Sequence, residues 1–181
     1  TDGRDTDPKS ALGFLAIIEK HIAAYDNVHI ASLTGRYYAM DRDKRWERVA
    51  KAYNALTKNE GLWAKNLTEA ISNSYENNIT DEFLEPIIHV DGNNVPYGAI
   101  EADDAVICFN FRTDRCREIS EVLTQIPIEA PAMQPLPVYY VTMTEYDASY
   151  KNVHVLFHKD NLSNTLGEVI AANGLTQVRI A

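Results

Sequence analysis

Arginine recurs in three short stretches of the chain, "DGRD" (residues 2–5), "GRYYAMDR" (residues 35–42) and "FRTDR" (residues 111–115). A guanidinium is a planar fork whose paired N–H groups match the oxygens of a carboxylate or a phosphate, a geometry that an ammonium cannot reproduce. If Arg4, Arg36, Arg42, Arg112 and Arg115 converge, they suit a small substrate with two anionic groups, such as a phosphate and a carboxylate. The competing reading is that each arginine is solvated and paired with a nearby acid. Asp5, Asp41 and Asp114 could supply those partners, and a charge run is ordinarily a solvated face. Arg117, one helical turn from Asp114, reads as a surface residue.

Other chemistry finds little support. The glycines form no G-x-G-x-x-G or phosphate-loop pattern, so a nucleotide is not indicated. No serine sits in a G-x-S-x-G elbow, and neither Cys108 nor Cys116 has an evident histidine partner. The five histidines lack ligand spacing. Asp5 and Asp7 form a D-x-D that could hold a divalent ion, but beside a helix start they read as capping groups. The expectation is a binding constellation with no metal site and no nucleophile of its own.

The elements that must position these arginines are read from periodicity. Pro8 suits a first helical position with Asp7 as N-cap, and Leu12, Leu15, Ala16, Ile18, Ile22 and Ala23 follow at helical spacing. "NVHIASLTG" predicts a short buried strand ending at Gly35. Amphipathic helices are predicted from about Asp43 to Thr57 and over Leu67 to Tyr75. "EPIIHVDGNNVPYGAI" has the punctuation of a hairpin or surface loop. "AVICFNF" predicts a strand, followed by a helix from Thr113 or Asp114 to about Thr124. "PLPVYYVTMTEYD" and "NVHVLF" read as strands, "LSNTLGEVIAANG" as a helix closed by Gly174, and "LTQVRIA" as a last strand.

Strands alternating with helices predict a single α/β domain, a layered, mostly parallel sheet flanked by helices as a three-layer sandwich. In such sheets ligands gather outside the carboxyl ends of strands. "GRYYAMDR" and "FRTDR" each follow a predicted strand, and "DGRD" precedes the first helix.

The chain has 181 residues, 45% hydrophobic and 24% charged, enough for one domain to bury a core. A net charge of -9 and a pI near 5.0 argue against nucleic acid, whose binding needs a basic face. Runs such as "LGFLAII" are far shorter than the roughly 20 residues of a membrane span. A cytoplasmic protein with reduced Cys108 and Cys116 is expected, in which the sequons at Asn66, Asn78 and Asn161 carry no meaning. The opening "TDGRDTDPKS" lacks a Met, and "LTQVRIA" stops within an apolar run, so a fragment of a longer protein is expected.

"TDGRDTDPKS", "TGRYYAMDRDKRWERV", "FNFRTDR", "VTMTEYD" and "NTLGEVIAANGLTQVRIA", in that order, resemble the cofactor-independent phosphoglycerate mutases. Ala11 stands where the family usually has Gly, and Thr113 where Pro or Ala is commoner. The resemblance implies the inserted substrate-binding, transferase domain of a two-domain enzyme (residues 1–181), whose partner domain is phosphatase-like, of the alkaline phosphatase type. It implies interconversion of 3-phosphoglycerate and 2-phosphoglycerate in glycolysis and gluconeogenesis. A Ser and two divalent metal ions, commonly manganese, would belong to the other domain, leaving this chain alone inactive. The family's substrate arginines fall on Arg36, Arg42, Arg112 and Arg115, with Arg4 and Asp5 as further contacts. Asp5 would touch the glycerate hydroxyls and could relay a proton. The rivals are a non-catalytic anion-binding domain and a related mutase such as a phosphopentomutase.

Overall fold

The computed structural model describes residues 1–158, residues 162–178 and residue 180; the sequon at Asn161 lies outside them. The elements run α1 (Ala11–Ile22), β1 (Ser32–Leu33), α2 (Arg36–Ala39), α3 (Trp46–Lys58), β2 (Leu62–Ala64) and α4 (Leu67–Glu76). A 3-10 turn at Asp81–Phe83 leads to β3 (Ile87–His89), then β4 (Ala105–Cys108), α5 (Arg117–Thr124), β5 (Tyr139–Thr144), β6 (Val153–Phe157) and α6 (Leu166–Ala172). The predicted α/β class is borne out.

The strands divide between two three-stranded sheets, ordered β1-β3-β2 and β4-β5-β6. Pairing is mostly parallel: β2–β3, β4–β5 and β5–β6 run parallel and only β1–β3 is antiparallel. Each sheet has its own core. Leu15 of α1 and Leu67 and Ile71 of α4 pack with Ile87 beside the first sheet. Val49 and Tyr53 of α3 pack with Ile119, Val122 and Leu123 of α5 against Tyr140 of the second. On the far face of that sheet Ile107, Tyr139 and Leu156 are exposed.

Several boundaries differ from the sequence reading, each for a local reason. Helix α1 starts at Ala11 rather than at Pro8, because its first free N–H groups, of Ser10 and Ala11, are each taken at 2.9 Å by Oδ2 of Asp81, not by the Asp7 carboxylate. Helix α3 starts at Trp46 because Lys44 is left-handed (φ 55°), and Asp41 Oδ2 accepts from the N–H groups of Asp43 and Arg45 at 3.0 Å. Helix α5 starts at Arg117, after turns over residues 113–116. Most of "NVHIASLTG" is irregular, with only Ser32–Leu33 paired.

The segment expected as a hairpin or loop contains β3, the central strand of the first sheet, with Ile87 and Ile88 fully buried. The predicted turn follows it, where Asp91 Oδ1 accepts from the N–H groups of Asn93 and Val95 and an isolated bridge joins Val90 to Pro96. Strand β2 carries no forecast. Gly174 is left-handed just beyond α6, as predicted (φ 66°). Leu175–Val178 forms no strand, and Arg179 and Ala181 of the expected final strand lie outside the described residues.

Candidate active site

The site begins with a close approach. A Cβ on Gly35 would lie 2.5 Å from the Glu82 carbonyl oxygen, so only glycine lets the start of α2 press against the 3-10 turn. That contact sinks Arg36, whose side chain is 5% exposed, and its Nη1 donates to Asp2 Oδ1 and Asp5 Oδ2, both at 2.7 Å. Asp2 Oδ1 also accepts from the N–H groups of Arg4 and Asp5 at 3.1 Å, folding "DGRD" into a turn around left-handed Gly3. Burial opposes the Arg36 charge, but Asp5 and Asp2 outweigh it and hold its pKa above the ordinary arginine value.

Arg42 and Arg112 arrive from opposite sides onto one carboxylate. Asp114 Oδ1 lies 2.6 Å from Arg112 Nε, and its Oδ2 lies 3.2 Å from Arg112 Nη2 and 2.8 Å from Arg42 Nη1. The Arg112 guanidinium, seconded by Arg42, holds the Asp114 carboxyl far below the usual carboxylate range. Arg115 is different. Its Nη1 donates to the Met40 carbonyl at 3.2 Å, its buried Nε has no partner, and no carboxylate lies within ion-pair distance among the described residues. Burial, then the charges of Arg42, Arg36 and Arg112, lower its pKa.

A cleft of about 270 Å³ is lined by Arg4, Arg36, Arg42 and Arg115, joined by Arg45 and Arg48. Four of the five arginines singled out in the sequence thus line one cleft. Arg112 is tied to Arg42 through Asp114 rather than lining the cleft, and Asp5 holds Arg36 without lining it. Arg4, at the rim, pairs with Glu82 at 3.6 Å rather than with Asp5. Ion pairing to neighbouring acids and convergence on one cleft both hold, so the two readings of the arginines are not exclusive. Arg117 is exposed, as expected, and its Nε donates to the Tyr146 carbonyl.

Sequence reasoning missed Arg48, Asp2 and Glu118. Arg48 lies 3.8 Å above the Tyr37 ring and 3.7 Å from Asp41, and its position three residues after Arg45 was the available signal. Beneath the cleft, buried Glu118 accepts from the Lys44 N–H at 2.8 Å and lies against Asp41. Burial pushes its carboxyl up to about 7, the Lys44 N–H opposing and the Asp41 charge adding to the rise. Among the described residues no three His, Cys, Asp or Glu side chains group to hold a metal, and Asp5 of the D-x-D is engaged with Arg36. Among them, too, no helix is long and apolar enough to cross a membrane.

The sequence model described as BPG-independent PGAM N-terminus matches residues 1–148. A 2,3-bisphosphoglycerate-independent phosphoglycerate mutase of Flavobacterium psychrophilum is 53% identical over 181 residues, covering 100% of this chain and 36% of that protein. Its namesake in Parabacteroides distasonis is 50% identical, over 99% of this chain and 35% of its own length. A crystal structure of Leishmania mexicana phosphoglycerate mutase at low cobalt concentration superposes with a TM-score of 0.81 at 29% identity, over 96% of this chain and 33% of that one. The chain therefore spans about a third of the length of the relatives it matches. Its match over residues 1–148, with arginine motifs that fold into one cleft, places the chain in the family of BPG-independent PGAM N-termini.

Proposed function

We propose that this chain is the substrate-binding, phosphotransferase domain of an isomerase that interconverts 3-phosphoglycerate and 2-phosphoglycerate in cytoplasmic glycolysis and gluconeogenesis. The observation that carries the reading is Arg115, which lines a cleft of arginines and, among the described residues, has no carboxylate within ion-pair distance. A guanidinium in a cleft with no acid to pair it is suited to take an anionic oxygen.

In this reading the phosphate or carboxylate of the substrate sits against Arg115, with Arg36 and Arg42 flanking it. Their acids hold them in place before the ligand arrives, which lowers the ordering cost of binding. Asp5 Oδ2 is tied to Arg36, while Oδ1 makes no bond among the described residues and is open to a glycerate hydroxyl, where it can hold or relay a proton. The cleft's task is retention: a three-carbon acid must stay bound while its two hydroxyls exchange places. The remainder of the polypeptide, phosphatase-like and of the alkaline phosphatase type, would supply the Ser that carries the phosphoryl group and two divalent ions, manganese by the resemblance, that activate it. The described residues of this chain offer no ligand set for those ions.

The test is conversion of 3-phosphoglycerate with manganese by the full-length polypeptide, by this chain alone and by full-length Arg115→Ala. Turnover is expected only with the full-length protein, and Arg115→Ala should lower kcat/KM by about ten- to a hundredfold, the worth of a charge-assisted contact. Turnover by this chain alone, or an undiminished Arg115→Ala, would overturn the assignment. Binding of 3-phosphoglycerate by the full-length protein without any turnover would favour a plain anion-binding domain.

A further inference from the structure

Among the described residues, Asp114 is the one acid that engages two of the site's arginines from segments far apart in the chain. Its carboxylate takes both faces of the Arg112 fork and the tip of Arg42, two residues 70 positions apart in the chain. Both guanidinium groups are about half exposed, so packing alone does not fix them. Left to themselves, two long side chains of like charge would diverge, each free among several rotamers. A single bridging carboxylate removes that repulsion and that freedom together. Arg115, the next residue, is left without an acid, so the bridge orders its neighbours without occupying it.

We propose that Asp114 is a positioning residue for phosphoryl transfer, a brace that holds Arg42 and Arg112 at a fixed separation beside the Arg115 seat. This rests on the reading of the cleft given above. It also separates two effects of the acid. Its charge weakens the cleft's attraction for anions, whereas its bridging fixes geometry. Removing it should therefore leave substrate affinity nearly unchanged, while the reacting groups lose alignment.

The experiment measures kcat and KM for 3-phosphoglycerate with the full-length polypeptide. Asp114→Asn is expected to lower kcat about tenfold with KM moved by less than about threefold, and Asp114→Glu, which keeps the charge, to recover part of that loss. In the Arg42→Ala, Arg112→Ala background, Asp114→Asn should change kcat by less than about twofold, since the brace then has nothing to hold. An undiminished kcat in Asp114→Asn, or a full tenfold loss repeated in the double-arginine background, would overturn the proposal. Should Asp114→Asn unfold, an undiminished kcat in Asp114→Glu alone would likewise sink it, because a longer carboxylate cannot keep the same separation. If Arg42→Ala and Arg112→Ala themselves leave turnover intact, the reading of the cleft fails and the brace with it; if they abolish turnover while Asp114→Asn does not lower it, only the brace fails.

Discussion

Asp5 and Arg36 meet through Oδ2 and Nη1 at 2.7 Å, a carboxylate whose side chain is 66% exposed holding a guanidinium that is only 5% exposed. The pair is unequal. Arg36 has a second acid at the same distance in Asp2, whereas Asp5 presents most of its surface to solvent.

That inequality separates stability from function. Asp5→Asn leaves Arg36 paired with Asp2 and keeps an acceptor oxygen beside it, so denaturant unfolding should shift by only about 1 kcal/mol. In the full-length protein the same change should lower kcat/KM for 3-phosphoglycerate by about tenfold or more, if Asp5 Oδ1 serves the glycerate hydroxyls. A change in stability without a change in turnover would assign Asp5 to structure alone.

Gly35→Ala should be costly although it adds one methyl group. The new Cβ would meet the Glu82 carbonyl oxygen at 2.5 Å, the Leu84 nitrogen at 2.7 Å and the Asp81 carbonyl oxygen at 2.9 Å, all main-chain atoms that cannot swing aside. A loss of about 1–3 kcal/mol is expected in urea unfolding, with displacement of Arg36 seen as weaker substrate binding. Gly13, which has no atom within 4 Å of such a Cβ, is the control.

Asp81 is 1% exposed and joins segments far apart in sequence, accepting from the N–H groups of Ser10 and Ala11 through Oδ2 and from the Tyr75 hydroxyl through Oδ1. Asp81→Ala would strand the Ala11 N–H and the Tyr75 hydroxyl, leave the Ser10 N–H only the Asp7 carbonyl at 3.2 Å, and should cost roughly 3 kcal/mol in unfolding free energy. Tyr75→Phe removes one donor and should cost less than half of that.

Glu118 gives a pH dependence of known sign. Burial raises its carboxyl from the ordinary 4.5 to about 7 in the folded chain. Between those values the folded state binds more protons than the unfolded one, so this group's contribution to stability falls as pH rises from about 4.5 to 7 and stays lost above that. Glu118→Gln keeps an acceptor for the Lys44 N–H without the charge. It should be about 1–3 kcal/mol more stable than the parent at pH 8 and nearly equal at pH 4, read from denaturation midpoints. A difference independent of pH would show that Glu118 stays ionised in the fold.

The helices over Ala11–Ile22, Trp46–Lys58 and Leu67–Glu76 were legible because one apolar face repeats within each segment. The arginines were legible because each motif is compact and follows a predicted strand or opens a helix. Strand β2 was not: Leu62 and Trp63 are exposed, and three residues become a strand only by pairing with β3. The cap that starts α1 comes from Asp81, 70 residues on, and the bridge from Asp114 to Arg42 spans 72. Such contacts depend on the folded path of the chain and leave no mark on local spacing. The partner choice of each arginine was hidden for the same reason.

Helix α3 belongs to both halves of the molecule. Val49 and Tyr53 enter the core of the second sheet, Ala55 packs on Ile88 and Val90 of the first, and α2 and α5 both rest against it. Arg36 rides on α2 and Arg115 stands just ahead of α5, so the two jaws of the cleft hang from one beam. The ruler that sets their separation is a row of alanine, valine and tyrosine side chains that never meets the ligand. Recognition of a charged molecule is thus calibrated by apolar packing, and a methyl group lost inside the beam would be felt at the guanidinium groups as a change of gauge.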